Sequence, residues 1–283
     1  MKALNSIVVV FMSLFLLTVS TGSLVAGDFE GTVKQRYSYF TLDDVPHEFS
    51  SEQAAVDFIF SRSVEQLKSF VAENGGADLF EQQTTTIRIK GDRYRIDTSQ
   101  EGQDVSLIYD LSNEKMITLQ HAQKVAMETS MGEMMGMFDD MSDDDMDQTD
   151  RDQFSLQSTG KVKEIHGFQC REYVGTDEDG DYLQEWIHVD DIDWYASLVE
   201  AFQQMDMSGE GESEEMGKEE AFYRKVGGLP ILSKVVSMGD VNINEILSIK
   251  SQSVGDDMFA IPEGYKKVNM QQMMQMQMDS MGQ

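Results

Sequence analysis

Short runs of alternating apolar and polar residues, joined by tight turns, are the feature that most constrains the fold. Ile87 and Ile89 alternate with polar residues before the Gly91-Asp92 turn. Tyr94 and Ile96 alternate with charged residues after it. A period of two places successive side chains on opposite faces of a strand, and Gly-Asp suits a tight turn between antiparallel strands. The segment is therefore predicted to be a β-hairpin with one buried face.

The same alternation recurs along most of the chain. Further strands are predicted at residues 32–40, 106–110, 116–120, 124–129, 154–164, 169–176, 182–189, 222–225, 231–238 and 243–254. Many strands with short connections favour one antiparallel sheet over alternating strands and helices.

Two segments have helical periodicity instead. The first begins at Ser50, with Gln53 as a capping-box partner, and ends at Asn74-Gly75-Gly76. The second runs from about Asp191 to Met207. An amphipathic helix must bury its apolar stripe, and an apolar sheet face offers the partner surface. The predicted fold is mainly β with helices (α+β), an open antiparallel half-barrel whose concave face is covered by two amphipathic helices.

Residues 1–27 have the features of a secretory signal peptide. Lys2 precedes an apolar run over 7–19, and small residues follow up to Gly27. The run is shorter than the roughly 20 residues that span a bilayer, so cleavage and export of a soluble protein are expected, to the periplasm or the medium. Residues 28–267 are predicted to form a single domain.

Two acidic insertions are expected to interrupt that domain, at 130–152 and 208–220. They carry much of a formal net charge of -29. Such a charge repels phosphate backbones, so nucleic acid is not an expected partner. Residues 268–283 form a Met/Gln-rich tail that is predicted to be disordered.

Motifs for catalysis or for a cofactor are not evident. The four histidines are scattered without metal-ligand spacing, and the acidic run Asp143-x-Asp145-x-Asp147 has Gln148 where a calcium loop needs glycine. Cys170 is the single cysteine, which excludes an internal disulfide and suits a small buried residue. We expect a protein that is not an enzyme and has no cofactor.

Methionine in the tail offers a second kind of chemistry. Thioethers favour Cu(I), and methionine is also a flexible apolar contact residue. Metal handling by the tail and the acidic segments is therefore an alternative function. Its weak candidate ligands are Met270, Met273, Met274, Met276 and Met278.

Several short motifs resemble a known family. They are DFEGTV at 28–33, IKGDRYRID at 89–97, GFQCREY at 167–173, GLP at 228–230 and FAIPEGYKK at 259–267. Together they resemble the exported bacterial family called domain of unknown function 4412 (DUF4412). The resemblance implies similarity to the periplasmic lipoprotein-carrier (LolA/LolB-like) fold, an open half-barrel with helices over its concave face, and it implies no catalytic residues.

The fold and the resemblance together predict a carrier or binding protein that holds a lipid or lipoprotein acyl chain. An apolar space under the helices would accept methylene groups. A solid core with the same residues, in a structural or interaction module, is the third alternative. The residues expected to line the space are Tyr37, Tyr39, Ile87, Ile89, Tyr94, Ile96, Trp186, Ile59, Phe60, Leu67, Leu198 and Phe202.

Overall fold

The computed structural model describes residues 29–100, 103–130, 156–176, 180–188, 226, 228–269 and 272. The predicted signal peptide, the second helix at 191–207, the acidic insertions beyond Ser130 and the methionines of the tail lie outside these residues. So do Leu198 and Phe202 of the predicted lining.

One open sheet of twelve strands dominates the described part of the chain. Its strands are β1 (Glu30–Thr41), β2 (Glu81–Lys90), β3 (Arg93–Gln100), β4 (Gln103–Asp110), β5 (Lys115–Gln120), β6 (Val125–Ser130), β7 (Gln157–Ile165), β8 (Phe168–Thr176), β9 (Tyr182–His188), β10 (Leu229–Ser237), β11 (Asp240–Ser251) and β12 (Lys266–Val268). Their order is β12-β6-β5-β4-β3-β2-β1-β11-β10-β9-β8-β7. The prediction of a β-dominated open sheet is confirmed.

The sheet is antiparallel except at one edge. Strand β12 pairs with β6 in parallel, so the prediction of a wholly antiparallel sheet was wrong there. Strand β12 joins the edge of the sheet at β6, a strand far from it in sequence, and residues 252–265 bring the chain there from β11. Because no hairpin connects β6 to β12, short-range turn geometry does not impose an antiparallel direction.

The predicted first helix forms two helices. Helix α1 spans Glu52–Ser61 and helix α2 spans Val64–Asn74. Ser63 separates them, because its side chain accepts from the amide of Gln66 while the Gln66 side chain accepts from the amide of Ser63. This reciprocal capping box starts a new helix in the middle of a continuous apolar stripe. The cap of α1 is Ser51 rather than Ser50.

Both helices bury an apolar stripe. Ile59, Leu67 and Val71 have no exposed surface, and they belong to the same cluster of buried side chains as Phe40 of β1. Each such side chain contributes about 1.5–3 kcal/mol when it leaves water. The helices are therefore integral to the core.

At strands β4 and β5 the sheet is buried on both faces, whereas the sequence predicted one apolar face. Strand β4 shows this directly, since Leu107 and Tyr109 belong to the main cluster, while Ile108 between them packs in a second cluster with Val254 and Phe259. The alternation of polar and apolar residues did not reveal this, because β4 is apolar at consecutive positions.

The C-terminal segment covers that second cluster. The Arg95 guanidinium donates to the backbone carbonyl of Met258 at 2.9 Å, and the Tyr265 hydroxyl lies 2.5 Å from Nδ1 of His121. The FAIPEGYKK motif thus packs across β3–β6 and leads into β12.

Candidate functional site

An open groove of about 450 Å³ runs along the outer side of α1 and α2. The side chains that line it are Phe58, Arg62, Glu65, Gln66, Ser69, Phe70 and Glu73. The groove is shallow and widely open to solvent, so a molecule bound in it would remain partly exposed. The helix pair thus presents a concave surface to the exterior as well as a buried face to the sheet.

Aromatic rings form the floor of the groove. The rings of Phe58 and Phe70 are half-buried with centroids 4.7 Å apart, and Phe49 lies 5.5 Å from Phe58. His47 stacks edge-on against Phe70 at 5.2 Å. The Arg62 guanidinium lies 4.9 Å above the Phe58 ring, a cation–π arrangement. The groove therefore combines an apolar floor with a charged rim.

The opposite surface of the helix pair rests on one side of strands β1 and β9–β11, which we call the helix-facing side. Arg36 of β1 contacts Glu65 of α2 at 2.6 Å. The cross-strand pairs place Ser38 beside Ile243, Ile243 beside Lys234, and Lys234 beside Gln184. Directly paired residues share a face, so these side chains all point toward the helices.

Lys234 is the central residue of this side. It has no exposed surface, and its ammonium donates to the backbone carbonyls of Ile59 at 2.8 Å, Phe60 at 3.3 Å and Arg62 at 2.6 Å. The last carbonyls of a helix lack intrahelical partners and carry partial negative charge, so a cation there is favourable. Burial nevertheless lowers the pKa of Lys234 to about 7.

Glu172 and Gln184 form a buried polar pair beside Lys234. Nε2 of Gln184 donates to Glu172 at 2.6 Å, and Thr159 and Lys161 donate to the other carboxylate oxygen at 2.7 and 2.8 Å. Burial alone raises the pKa of Glu172, but the hydrogen bonds from Lys161, Thr159 and Gln184 outweigh it, and the pKa lies below its ordinary value. Glu172 is therefore a carboxylate at neutral pH.

Two buried polar atoms near this pair have no hydrogen-bond partner among the described residues. They are Oε1 of Gln184 and Nε1 of Trp186. An unsatisfied buried donor or acceptor costs about 1–3 kcal/mol. The Lys163 ammonium lies 3.9 Å from the centre of the Trp186 ring, which fixes one face of the indole without using its N–H.

An ion pair between Arg36 and Glu245 lies on the same helix-facing side. Nε of Arg36 donates to Glu245 at 2.9 Å, and Nε2 of His166 lies 2.8 Å from the other oxygen of that carboxylate. Burial lowers the pKa of Arg36, but the bond and the charge of Glu245 outweigh it and hold the pKa above its ordinary value. This ion pair joins β1, β11 and the β7–β8 turn beneath α2.

The residues that were predicted to line one space fall into two groups in the structure, on and off the helix-facing side of the sheet. Ile59 and Leu67 are buried in the helices, Phe60 packs at the edge of the core, and Trp186 lies on the helix-facing side. The three helix residues thus lie where α1 and α2 meet the sheet, and Trp186 lies on the same side of the sheet, on β9.

The other predicted lining residues do not lie beneath α1 and α2. Tyr37 and Tyr39 alternate with the helix-facing residues of β1, and their hydroxyls donate to Asn242 and Asp240. The residues on their side of the sheet are Ile87, Ile89, Tyr94 and Ile96. The two helices contact the even-numbered side chains of β1, such as Arg36. The second predicted helix lies outside the described residues, so a space lined by Tyr37, Tyr39 and the residues on their side of the sheet stays a prediction.

A serine–histidine contact on the opposite edge of the sheet was missed by sequence reasoning. Oγ of Ser106 lies 2.6 Å from Nε2 of His121, donates to Asp97 and accepts from Arg95 at 3.1 Å. Asp97 contacts the serine rather than the histidine, and Ser106 has no exposed surface. This arrangement holds the C-terminal segment against the sheet. It is not a catalytic triad, because in a triad the carboxylate bonds the histidine and the histidine activates the serine.

Cys170 and the acidic side chains give no further site in the described residues. Burial raises the pKa of the Cys170 thiol to about 11, which disfavours its reactive form. The described part of the chain contains no group of three or more His, Cys, Asp or Glu residues placed to hold a metal. Within the same residues, no helix has the length and apolar character needed to cross a bilayer.

These features define a mainly β protein with an open sheet, a helix pair and a groove. The model of the family named domain of unknown function (DUF4412) matches residues 76–265, and the chain belongs to that family. The resemblance noted from the motifs is confirmed. Among curated proteins, none is significantly similar to this chain in sequence.

Several solved structures are similar at low identity. An uncharacterized conserved protein from Thermus thermophilus has a TM-score of 0.39 and 6% identity, with 86% of this chain and 92% of that chain covered. The MucA/MucB complex of Pseudomonas aeruginosa has a TM-score of 0.32 and 10% identity, with 81% and 55% covered. MucB alone has a TM-score of 0.34 and 9% identity, with 83% and 59% covered.

Proposed function

We propose that the protein is an exported, non-catalytic binding or carrier protein whose ligand contains an apolar chain, such as a lipid or a lipoprotein acyl chain. The observation that carries this proposal is the groove with Phe58 and Phe70 on its floor. Aromatic side chains that remain half-exposed in a concave surface gain free energy when an apolar ligand covers them.

The groove is the entry site because the core beneath it is filled. Ile59 and Leu67 occupy the space between the helices and the sheet with no exposed surface. A chain that binds deeper than the groove must therefore displace a helix. The break at Arg62-Ser63 provides a place where α1 can move relative to α2.

The energetics predict a dependence on chain length. Each buried methylene contributes about 0.8 kcal/mol, so each additional buried methylene should tighten binding about fourfold. The increase should stop where the chain leaves the groove.

The test is titration of the purified full chain with an environment-sensitive fluorescent fatty acid, followed by displacement with saturated chains of eight to sixteen carbons. We expect saturable binding that tightens with chain length. Replacing Phe58 and Phe70 together by serine should weaken binding at least tenfold. Met238→Ser is the matched control, since Met238 is 86% exposed in the β10–β11 turn and away from the groove.

Two results would contradict the proposal. One is absence of probe binding by the folded wild-type protein. The other is equal binding by wild type and the double phenylalanine variant.

A further inference from the structure

We propose that Gln184 and Trp186 form a polar subsite for a secondary amide group in the ligand. This inference rests on the proposed function, because it assumes that the ligand reaches the helix-facing side by way of the groove. It adds the chemical class of the polar group that accompanies the apolar chain.

The orientation of Gln184 is fixed by its neighbour. A carboxylate only accepts hydrogen bonds, so Gln184 must turn its NH₂ group toward Glu172, and this bond is 2.6 Å long. Thr159 and Lys161 hold Glu172 in place from the other side. The geometry of the pair therefore leaves the acceptor Oε1 of Gln184 without a partner in the part of the chain that the structure describes.

Trp186 supplies the complementary group. Its Nε1–H can only donate, and it meets no acceptor within the described ranges. Gln184 and Trp186 are two residues apart on β9, so both side chains leave the same face of the strand, about 6.7 Å apart along it. A buried donor and a buried acceptor thus leave the same face of β9 without partners, and a ligand reaches them only when α1 moves away from the sheet.

The subsite is connected to the wall of the groove through Lys234. Gln184 is the cross-strand partner of Lys234. Lys234 donates to the carbonyl of Arg62, and the Arg62 side chain lines the groove. An apolar chain in the groove would bring its polar end to the C-terminal end of α1, above Gln184.

A secondary amide matches this pair better than other polar groups. Its carbonyl accepts from Trp186 and its N–H donates to Gln184, and these atoms lie on opposite sides of the group. An ester or a carboxylate has no hydrogen to donate to Gln184. A site built to bond an N–H discriminates strongly against an analogue without it, since the buried acceptor then stays unpaired.

The experiment compares two ligands that differ only in this N–H. N-methyldodecanamide and methyl dodecanoate displace the fluorescent fatty acid from the full chain, and their dissociation constants are compared. We expect the amide to bind about tenfold more tightly than the ester. In Gln184→Met, affinity for the ester should be retained and the amide preference should fall to about one. In Trp186→Phe both ligands should bind more weakly, because each has a carbonyl that accepts from the indole N–H.

A spectroscopic measurement on the wild-type protein keeps the test independent of these variants. The chain has two tryptophans, so its ¹⁵N-labelled form gives two indole N–H signals. Bound amide and bound ester should each shift one of these signals downfield, because both present a carbonyl to the indole N–H. Assignment follows from loss of that signal in Trp186→Phe.

The outcomes separate the two proposals. Equal binding of amide and ester with an unmoved indole signal would overturn the subsite. Water would then be the partner of Oε1 of Gln184 and Nε1 of Trp186, and the proposed function would not be affected. A preference for the amide that persists in Gln184→Met would also overturn the subsite. Absence of binding by both ligands would overturn the proposed function and the subsite together.

Discussion

The ammonium of Lys234 lies 2.6 Å from the backbone carbonyl of Arg62, and this contact joins strand β10 to the C-terminal end of helix α1. The same ammonium reaches the carbonyls of Ile59 and Phe60. One fully buried lysine on the sheet therefore satisfies three backbone acceptors of the helix that bounds the groove.

Replacing Lys234 by methionine should loosen α1. The substitution retains much of the buried apolar stem and removes all three donors, so we expect a loss of about 1–3 kcal/mol in the free energy of unfolding. Urea denaturation measures the loss, and hydrogen exchange of residues 52–62 locates it. Lys250→Met is the control, because Lys250 is exposed on β11 and should change stability little.

The same lysine predicts a pH dependence. Its pKa is lowered by burial to about 7, from 10.5 when unfolded. Between these values the unfolded chain binds the proton more strongly, so wild-type stability should rise relative to Lys234→Met as the pH increases from 7 to about 10. The slope is at most about 1.4 kcal/mol per pH unit. A difference between the two proteins that stays constant over this range would contradict the assignment.

Tyr265→Phe should release the C-terminal segment from the sheet. The substitution removes the hydroxyl that contacts Nδ1 of His121 and leaves the ring in place. Loss of one hydrogen bond of this kind costs about 1 kcal/mol. Limited proteolysis should cut residues 252–265 faster in this variant than in Lys266→Ala, which changes an exposed residue of the same segment. Equal cleavage rates would show that the contact does not hold the segment.

Cys170 should be inert in the native protein. The thiol is buried, and its pKa is raised to about 11. Ellman's reagent should therefore label it slowly in buffer and rapidly in concentrated urea. Rapid labelling without denaturant would mean that β8 is accessible in the folded state.

Local patterns allowed most strands to be predicted. The turn at Gly91 needs a positive φ, which is +58°, and the pairing of Ile87 with Ile96 follows from the hairpin that this turn creates. Alternation and turn chemistry are both local, so the sequence carries them within ten residues.

The features that were missed depend on distant partners or on competing local ones. Ser63 divides the helix although the apolar stripe continues across it, because the capping box with Gln66 outweighs that continuity. Which side of β1 faces the helices follows from the packing of buried residues that are remote in sequence, such as Phe40 with Ile59 and Leu67, and alternation alone does not show it.

The candidate site was predictable only in part. Trp186 and Ile59 are large apolar residues, which a sequence pattern assigns to the interior, and both are buried. Lys234 and Gln184 were not selected, since a polar residue in a strand is ordinarily assigned to the solvent side. Their burial follows from the carbonyls of α1 and the carboxylate of Glu172, which are remote in sequence.

Native mass spectrometry of the full chain purified from the cells that produce it tests the central claim most directly. The account predicts a fraction of protein with one bound apolar molecule, released by organic solvent and lost when Phe58 and Phe70 are replaced by serine. Folded protein that carries no such molecule, and that takes up none when offered lipid extract, would contradict it.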